Sequence, residues 1–141
     1  MSKLQSAALA LLLSVGAAAH AYTAYLPGCE AGKTTLEIAE CRQKQIEAAD
    51  AKLGQYLTAA RKRVVAFDVQ VGLIDEEQKA WEAYRSAHCG NVYELWRQGT
   101  IRYEMSAICT LEVTRERTVD VWRAYLTYGD STPPTLPDPS K

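Results

Sequence analysis

Four cysteines constrain the fold of this chain more than any other residue type. Cys29, Cys41, Cys89 and Cys109 are an even set that allows three disulfide connectivities. We favour pairing near neighbours, Cys29 with Cys41 and Cys89 with Cys109, because this closes one short loop in each half of the chain. Each bridge would contribute about 2 to 4 kcal/mol to stability. This interpretation depends on export, because disulfides persist in oxidising compartments whereas cytosolic cysteines more often have metal or redox roles.

The N-terminus has the features of a secretory signal peptide. Lys3 supplies a positive charge, residues 4–19 form an uncharged run rich in leucine and alanine, and Ala19-His20-Ala21 has the small-x-small pattern of a cleavage site. The run is shorter than the stretch of about 20 apolar residues that spans a membrane. We therefore expect residues 1–21 to be removed. The mature protein, periplasmic or secreted, would begin at Tyr22 and have no membrane span.

The residues before the first cysteine allow a second interpretation. Leu26-Pro27-Gly28-Cys29 resembles a lipoprotein box, in which Cys29 would be acylated and would anchor the protein. A proline precedes the glycine, however, and the polar pair Tyr22-Thr23 interrupts the apolar run. Acylation would also leave Cys41 without a partner. We therefore favour a disulfide at Cys29.

The mature chain is long enough for one domain, and its periodicity predicts an all-α fold. We expect a small antiparallel bundle of about three main helices braced by two disulfides. Thr34-x-x-Glu37 is a capping box, Asp75-x-x-Gln78 is a similar start signal, and Gly90-Asn91 is a stop signal. Gly54 inside the first helix indicates a closely packed partner. The predicted segments are an irregular lead-in (22–33), a helical domain (34–128) with helix 1 (34–66), a connector (67–74), helix 2 (75–88), a loop (92–100) and helix 3 (101–128), and a flexible Pro-rich tail (129–141).

Three charged residues fall on apolar helix faces. Asp50, Arg85 and Arg115 each lie three or four residues from apolar residues of a predicted helix, so we expect all three to face the interior. An unpaired charge in a core is costly, and we therefore expect Asp50 to meet Arg85 or Arg115 across a helix interface. The favoured interpretation is an ion pair that fixes helix register. A polar functional pocket is the alternative.

The aromatic residues divide into a predicted core pair and a predicted surface group. Trp81 and Tyr84 lie at i and i+3 and should supply core burial rather than bind a ligand. Tyr93, Trp96 and Arg97 lie in the predicted loop, which the second disulfide would brace. Aromatic and arginine side chains on a braced loop have the composition of a binding hot spot, so these residues are the candidate partner contacts. The alternative is that the tryptophan folds back over the core.

The mature chain offers no pattern of catalytic or cofactor-binding residues. His88 is its single histidine, and neither a glycine-rich phosphate loop nor a metal-ligand spacing occurs. We therefore expect no catalytic residues, no metal, no cofactor and no enzymatic activity. Asp75-Glu76-Glu77 is the densest acidic cluster. We interpret it as a first-turn complement to the helix dipole rather than as a glycosidase-like carboxylate pair.

The charge balance bears on the class of partner. The chain has 16 basic and 17 acidic side chains and a formal net charge of −1, and signal cleavage removes one of the basic residues, Lys3. A slightly acidic chain does not suit binding to nucleic acid or to an anionic membrane. A protein partner is therefore favoured.

Three sequence blocks resemble one family of small exported bacterial proteins, the LprI-like lysozyme inhibitor domain. The blocks are Ala49-Asp50-x-x-Leu53-x-x-Tyr56, Gln78-Lys79-Ala80-Trp81-x-x-Tyr84-Arg85-x-x-x-Cys89 and Cys109-x-x-x-x-Thr114-x-x-Arg117. With Cys29 and Cys41 they cover most of the mature domain. The chain departs from the family pattern at Gly54, where asparagine is frequent, and at Ser86 and His88, where acidic residues are common.

The resemblance implies an all-helical, disulfide-braced envelope protein that inhibits lysozyme and is not an enzyme. We therefore expect an exported protein that binds a peptidoglycan-cleaving hydrolase, a lysozyme for example, through the loop between helices 2 and 3. The alternative is a periplasmic scaffold or immunity-type binding module with no effect on lysozyme.

Overall fold

Three long helices make up most of the part of the chain that the computed structural model describes, which comprises residues 28–29, 31–32, 34–67, 70 and 72–141. The helices are α1 (Thr35–Ala66), α2 (Gly72–Leu95) and α3 (Ile101–Tyr125), with no strand among the described residues. The predicted all-α fold is confirmed. The predicted signal peptide, most of the lead-in and part of the connector lie outside the described residues. None of the described helices is long and apolar enough to cross a membrane.

The predicted capping box forms the start of α1. Thr34 Oγ1 accepts a hydrogen bond from the Glu37 backbone N–H at 3.2 Å, and Glu37 Oε2 accepts one from the Thr34 N–H at 3.0 Å. Two backbone amides that have no partner within the helix are thereby satisfied. Gly54, further along α1, differs from the prediction of close packing. Apart from the neighbouring residues of α1 itself, no atom lies within 4 Å of the position that a Cβ would occupy there.

α2 is longer at both ends than the sequence predicts. It begins at Gly72 rather than at Asp75, and it continues through Gly90-Asn91 to Leu95. The predicted stop signal is therefore wrong. A glycine inside a helix costs about 1 kcal/mol relative to alanine, and here tertiary contacts outweigh that cost, because Val92, beyond the glycine, packs against the second disulfide. Four of the nine residues of the predicted loop, 92–95, are consequently helix.

The direction of the helices is defined by side-chain contacts at their ends. Arg42 of α1 pairs with Glu104 near the start of α3, and Arg63 donates hydrogen bonds to the carbonyl of Tyr125 at the end of α3. α1 and α3 are therefore parallel, and α2 runs antiparallel to both. The closest helix packing is that of α3 against α1 and against α2.

Two buried clusters form the core. The larger cluster joins α1 and α3 and includes the start of α2; its buried members are Leu53, Tyr56, Leu57, Ala60, Val64, Ile74, Val121 and Leu126. The smaller cluster surrounds the second disulfide and contains Cys89, Cys109 and Val113. Trp81 packs against both clusters. One indole therefore connects the two parts of the core.

Both disulfides pair near neighbours along the chain, as predicted. Cys29 is bonded to Cys41 and Cys89 to Cys109, with Cα–Cα distances of 5.7 and 5.6 Å. The first bridge ties the lead-in to α1, and the second ties α2 to α3.

The C-terminal segment differs from the predicted flexible tail. α3 ends at Tyr125, three residues earlier than expected, and residues 129–141 turn back along α1 and α3. Backbone carbonyls of this segment accept hydrogen bonds from both helices, and Leu136 packs against the larger core cluster. The composition of the tail predicts disorder, but a single apolar residue and several carbonyl acceptors are sufficient to attach it.

Candidate functional site

The end of the bundle where α2 joins α3 carries four large apolar or aromatic side chains that are exposed to solvent. Leu95 is 78% exposed, Trp96 41%, Ile101 51% and Tyr103 54%. Arg97 is exposed beside them. We call this surface the tip and define it as Tyr93, Leu95, Trp96, Arg97, Ile101, Arg102 and Tyr103.

The second disulfide fixes the base of the tip. The Cys89–Cys109 bond joins the last turns of α2 to the first turns of α3, and the Ser106 hydroxyl donates a hydrogen bond to the Cys89 carbonyl at 3.1 Å. The turn above is short and closed by its own backbone, since Gly99 N–H donates to the Trp96 carbonyl at 3.2 Å. A rigid base reduces the ordering entropy that a partner has to overcome on binding.

Two tyrosines and an arginine connect the helices directly above the disulfide. The Tyr93 and Tyr103 rings meet edge to face, with centroids 5.4 Å apart and planes at 74°. The Arg102 guanidinium carbon lies 5.0 Å from the Tyr93 centroid and 4.9 Å from the Tyr103 centroid, and Arg102 Nη2 donates to the Tyr103 hydroxyl at 3.1 Å. The hydrogen bond between the side chains of Tyr93 and Tyr103 raises the pKa of the Tyr93 hydroxyl and lowers the pKa of the Tyr103 hydroxyl. This arrangement orders Arg102 at the surface.

The three predicted contact residues all belong to the tip, although in different structural settings. Tyr93 is a half-buried residue of α2 rather than a loop residue. Trp96 and Arg97 lie in the turn and are exposed. Trp96 packs against neither buried cluster of the described chain. It therefore does not fold back over the core, which was the alternative.

The predicted charge pair forms between Asp50 and Arg85. Arg85 Nη1 lies 2.6 Å from Asp50 Oδ1 and donates a second hydrogen bond to the Thr114 hydroxyl at 2.8 Å. Its guanidinium carbon lies 4.7 Å from the Trp81 ring centroid. The pair is less buried than expected, since the Asp50 side chain is 44% exposed and that of Arg85 24%. Through Thr114 the pair joins all three helices, and the two charged groups are in direct contact.

Arg115 does not face the interior, and that expectation is wrong. Its side chain is exposed on α3, because each residue advances about 100° around a helix and Arg115 lies one step from the buried Thr114. The buried arginine of α3 is Arg117, which is 7% exposed. Arg117 lies four residues from Val113 and from Val121, and this spacing predicts its burial.

Arg117 is at the centre of a polar network that the sequence analysis missed. Its Nη1 lies 2.6 Å from Glu77 Oε1, and its Nε donates to Gln78 Oε1 at 3.3 Å. The Tyr125 hydroxyl donates to the other Glu77 oxygen. Partial burial pushes the pKa of Glu77 up, but the hydrogen bonds from Tyr125 and Arg117 and the Arg117 charge outweigh this effect and leave the pKa below its ordinary value.

The acidic cluster at the start of α2 is also used in structural pairs. Besides Glu77, Asp75 accepts from Arg61 Nε at 2.8 Å across the α1–α2 contact. A third pair missed from sequence joins Arg42 to Glu104, and Arg42 is 3% exposed. Within the described ranges, no group of three or more histidine, cysteine or acidic residues has a geometry that could hold a metal ion.

The predicted core aromatics have different environments. Trp81 is half-buried between the two clusters. Tyr84 is 55% exposed and stacks on His88, with ring centroids 5.3 Å apart. The expectation of a core role is therefore wrong for Tyr84, which lies one residue before Arg85 and so about 100° around α2 from the side that contacts α3.

Comparisons with known proteins place these features in one family. The chain matches the family described as "Lysozyme inhibitor LprI" over residues 29–120. It is 28% identical over 125 residues to "Uncharacterized protein R02472" of Rhizobium meliloti (strain 1021), and the alignment covers 81% of this chain and 89% of that protein. No solved structure matches the chain. The family match includes both disulfides and the whole tip but not the C-terminal tail.

Proposed function

Because the chain belongs to the LprI family of lysozyme inhibitors, we propose that it is an exported envelope protein that binds a peptidoglycan-cleaving hydrolase, such as a lysozyme, and blocks the enzyme's cleft with the tip. In this proposal the protein acts as a binding partner and performs no chemistry of its own. Residues 1–21 direct its export and are then removed.

The single observation that carries the proposal is the composition and rigidity of the tip. Leu95, Trp96, Ile101 and Tyr103 are exposed at the end of two helices that a disulfide holds together. Tryptophan, tyrosine and arginine are enriched in binding hot spots, because they bury large areas and retain polar contacts. A pre-ordered surface of this kind, at the end of a pair of connected helices, fits a concave enzyme cleft.

The charges of the tip also fit a glycoside hydrolase. Such enzymes generally place a pair of carboxyl groups on either side of the bond that they cleave. Arg97 is exposed in the turn, and Arg102 is ordered between two tyrosine rings. A guanidinium at the entrance of the cleft would pair with those carboxylates. The small negative charge of the whole chain would add a weak attraction to a basic lysozyme.

A cell-wall clearing assay tests the proposal. The oxidised chain from Tyr22 onwards is added in increasing molar ratio to lysozymes of several types, and the fall in turbidity of a peptidoglycan suspension is followed. We expect the rate of clearing by at least one type to fall as the ratio rises and to level off near equimolar amounts. The same chain after reduction and alkylation is the control and should inhibit less.

Two outcomes would contradict the proposal. If every lysozyme clears the suspension at an unchanged rate, inhibition is not the function, and a partner recovered from an envelope extract would instead support a scaffold or immunity-type module. Clearing by the protein alone would identify it as a hydrolase.

A further inference from the structure

The C-terminal segment lies across α1 and α3 in the manner of a bound peptide. Three side-chain donors from the two helices contact three of its backbone carbonyls. Trp122 Nε1 donates to the Leu136 carbonyl at 2.9 Å, the Tyr56 hydroxyl donates to the Pro137 carbonyl at 2.7 Å, and Lys52 Nζ donates to the Pro139 carbonyl at 3.1 Å. We call the surface formed by Lys52, Tyr56 and Trp122 the tail groove.

The chemistry of the tail groove matches a proline-rich segment in particular. Proline has no backbone N–H, so a segment rich in proline presents mainly carbonyl acceptors to its surroundings. The indole N–H, the phenol hydroxyl and the ammonium group that line the groove supply donors to these carbonyls. The segment contains Pro133, Pro134, Pro137 and Pro139. Known proline-rich ligands are likewise bound in grooves lined by aromatic side chains.

An apolar anchor accompanies the three hydrogen bonds. Leu136 is half-buried and packs against the larger core cluster. The Thr135 N–H also donates to the Leu126 carbonyl at 2.8 Å, which fixes the register of the segment at the end of α3. Tyr56 is 4% exposed, and burial, with a smaller effect from the Asp138 charge, raises the pKa of its hydroxyl.

Space remains on both sides of the bound segment. A depression of about 590 Å³ continues beyond Pro139 and is lined by Gln45, Lys52 and Arg115. A second depression, of about 620 Å³, lies between Trp122 and residues 134–138. Residues of the bound segment therefore line part of each depression.

We propose that the tail groove is a binding site for proline-rich peptide segments, and that residues 134–139 are its resident ligand and compete with any other such segment for it. A ligand tethered by a few residues has an effective concentration in the millimolar range. The attached tail consequently keeps the groove closed to weak ligands. This site is separate from the tip.

The test uses the full chain with a protease recognition sequence inserted between Ser131 and Thr132, both of which are exposed. After oxidation and folding, the site is cut, and a fluorescent synthetic peptide with the sequence of residues 131–141 is titrated into the cut and the uncut protein. Fluorescence anisotropy measures binding. We expect saturable binding to the cut protein and at least about tenfold weaker binding to the uncut protein, because the tethered tail competes.

Matched variants identify the contacts. Trp122→Phe removes the indole donor of the groove, whereas Trp96→Phe makes the same change outside it. We expect Trp122→Phe to raise the dissociation constant at least about fivefold, as for a lost hydrogen bond to a partly buried acceptor, and Trp96→Phe to leave it unchanged. A peptide with Leu136→Asp should not bind.

The proposal is overturned if the peptide does not bind to cut protein that retains the helical circular-dichroism spectrum of the uncut chain, or if both tryptophan variants have the same effect. If the cut protein unfolds, a second measurement on the uncut chain tests the proposal instead. In the uncut chain, Leu136→Asp should shift the Trp122 indole N–H resonance in the NMR spectrum, and an unshifted resonance would also overturn the proposal.

Discussion

Tyr93 on α2 and Tyr103 on α3 meet edge to face, with ring centroids 5.4 Å apart. The contact lies directly beyond the Cys89–Cys109 disulfide, so a covalent bond and an aromatic pair join the two helices in succession below the exposed turn. Because of these two connections, the tip is more rigid than a loop without such cross-links. This rigidity is the basis of the proposed inhibition.

Removal of the second disulfide should reduce inhibition by the tip, whereas removal of the first disulfide should not. We expect the double variant Cys89→Ala/Cys109→Ala to lose about 2 to 4 kcal/mol of stability and to inhibit its hydrolase less at a temperature where it remains folded. Cys29→Ala/Cys41→Ala is the matched control, since it removes a bridge on α1 and should not change inhibition by the folded protein. Urea unfolding and the clearing assay measure the two effects. Equal loss of inhibition in both variants would contradict the role of the bridge.

Gly90→Ala should stabilise the protein. Gly90 lies inside α2, and nothing occupies the space that its Cβ would enter, so alanine should raise the free energy of unfolding by about 0.5 to 1 kcal/mol. Gly54→Ala, in the same setting on α1, should have a similar effect and serves as the control. If alanine stabilises at position 54 but destabilises at position 90, then α2 ends at the glycine.

Arg85 should contribute more to stability than Asp50, its ion-pair partner. Arg85 contacts Asp50, Thr114 and Trp81, whereas the Asp50 carboxylate is 44% exposed and screened by solvent. We expect Arg85→Ala to cost about 1 to 3 kcal/mol and Asp50→Asn about 1 kcal/mol or less. Chemical denaturation of both single variants and the double variant measures the costs and the coupling. Equal costs would contradict the additional contacts of Arg85.

Glu77 should make stability fall in acid. Its pKa in the folded protein lies below the ordinary value of 4.5, so the unfolded chain binds the proton more tightly. The stabilisation is therefore present above the ordinary pKa and is lost as the pH falls through the folded-state pKa. We expect Glu77→Gln to flatten the decline in stability between about pH 5 and pH 3. Glu76→Gln, at its exposed neighbour, is the control, and an unchanged decline in Glu77→Gln would contradict the prediction.

The features of the fold that depend on short sequence patterns, or on which residues are neighbours along the chain, could be predicted from the sequence. The capping box at Thr34 and the start of α3 follow from patterns within a few residues, and the two disulfides follow from pairing cysteines that are neighbours along the chain. The extent of α2 did not follow, because Gly90 is a local stop signal that packing around Cys89 and Val92 overrides. Propensity is a weak prior wherever tertiary contacts of this kind are available.

The charged residues show the same division. A pairing of Asp50 with Arg85 or Arg115 could be predicted, because all three lie near apolar stripes, and the structure has the pair with Arg85. The burial of Arg117 was visible in its spacing from Val113 and Val121, but its partner Glu77 lies 40 residues away, and helix register at that separation is not encoded locally. The attachment of the tail was not predicted for a related reason. It depends on Leu136 and on backbone carbonyls, and the amino-acid composition of a segment gives no information about where its carbonyls bind.

The most direct test of the central claim compares two double variants in the clearing assay, against a lysozyme that the unmodified protein inhibits. Trp96→Ala/Arg97→Ala removes an exposed aromatic and an exposed arginine from the tip. Tyr84→Ala/Arg115→Ala likewise removes one exposed aromatic and one exposed arginine, but from outside the tip; Tyr84 is 12 residues from Trp96 in sequence, or about 18 Å at the rise of a helix. We predict that the tip variant raises the inhibition constant about tenfold or more and that the control leaves it unchanged. An unchanged constant in the tip variant, or an equal rise in both, would contradict the proposal that the tip blocks the enzyme.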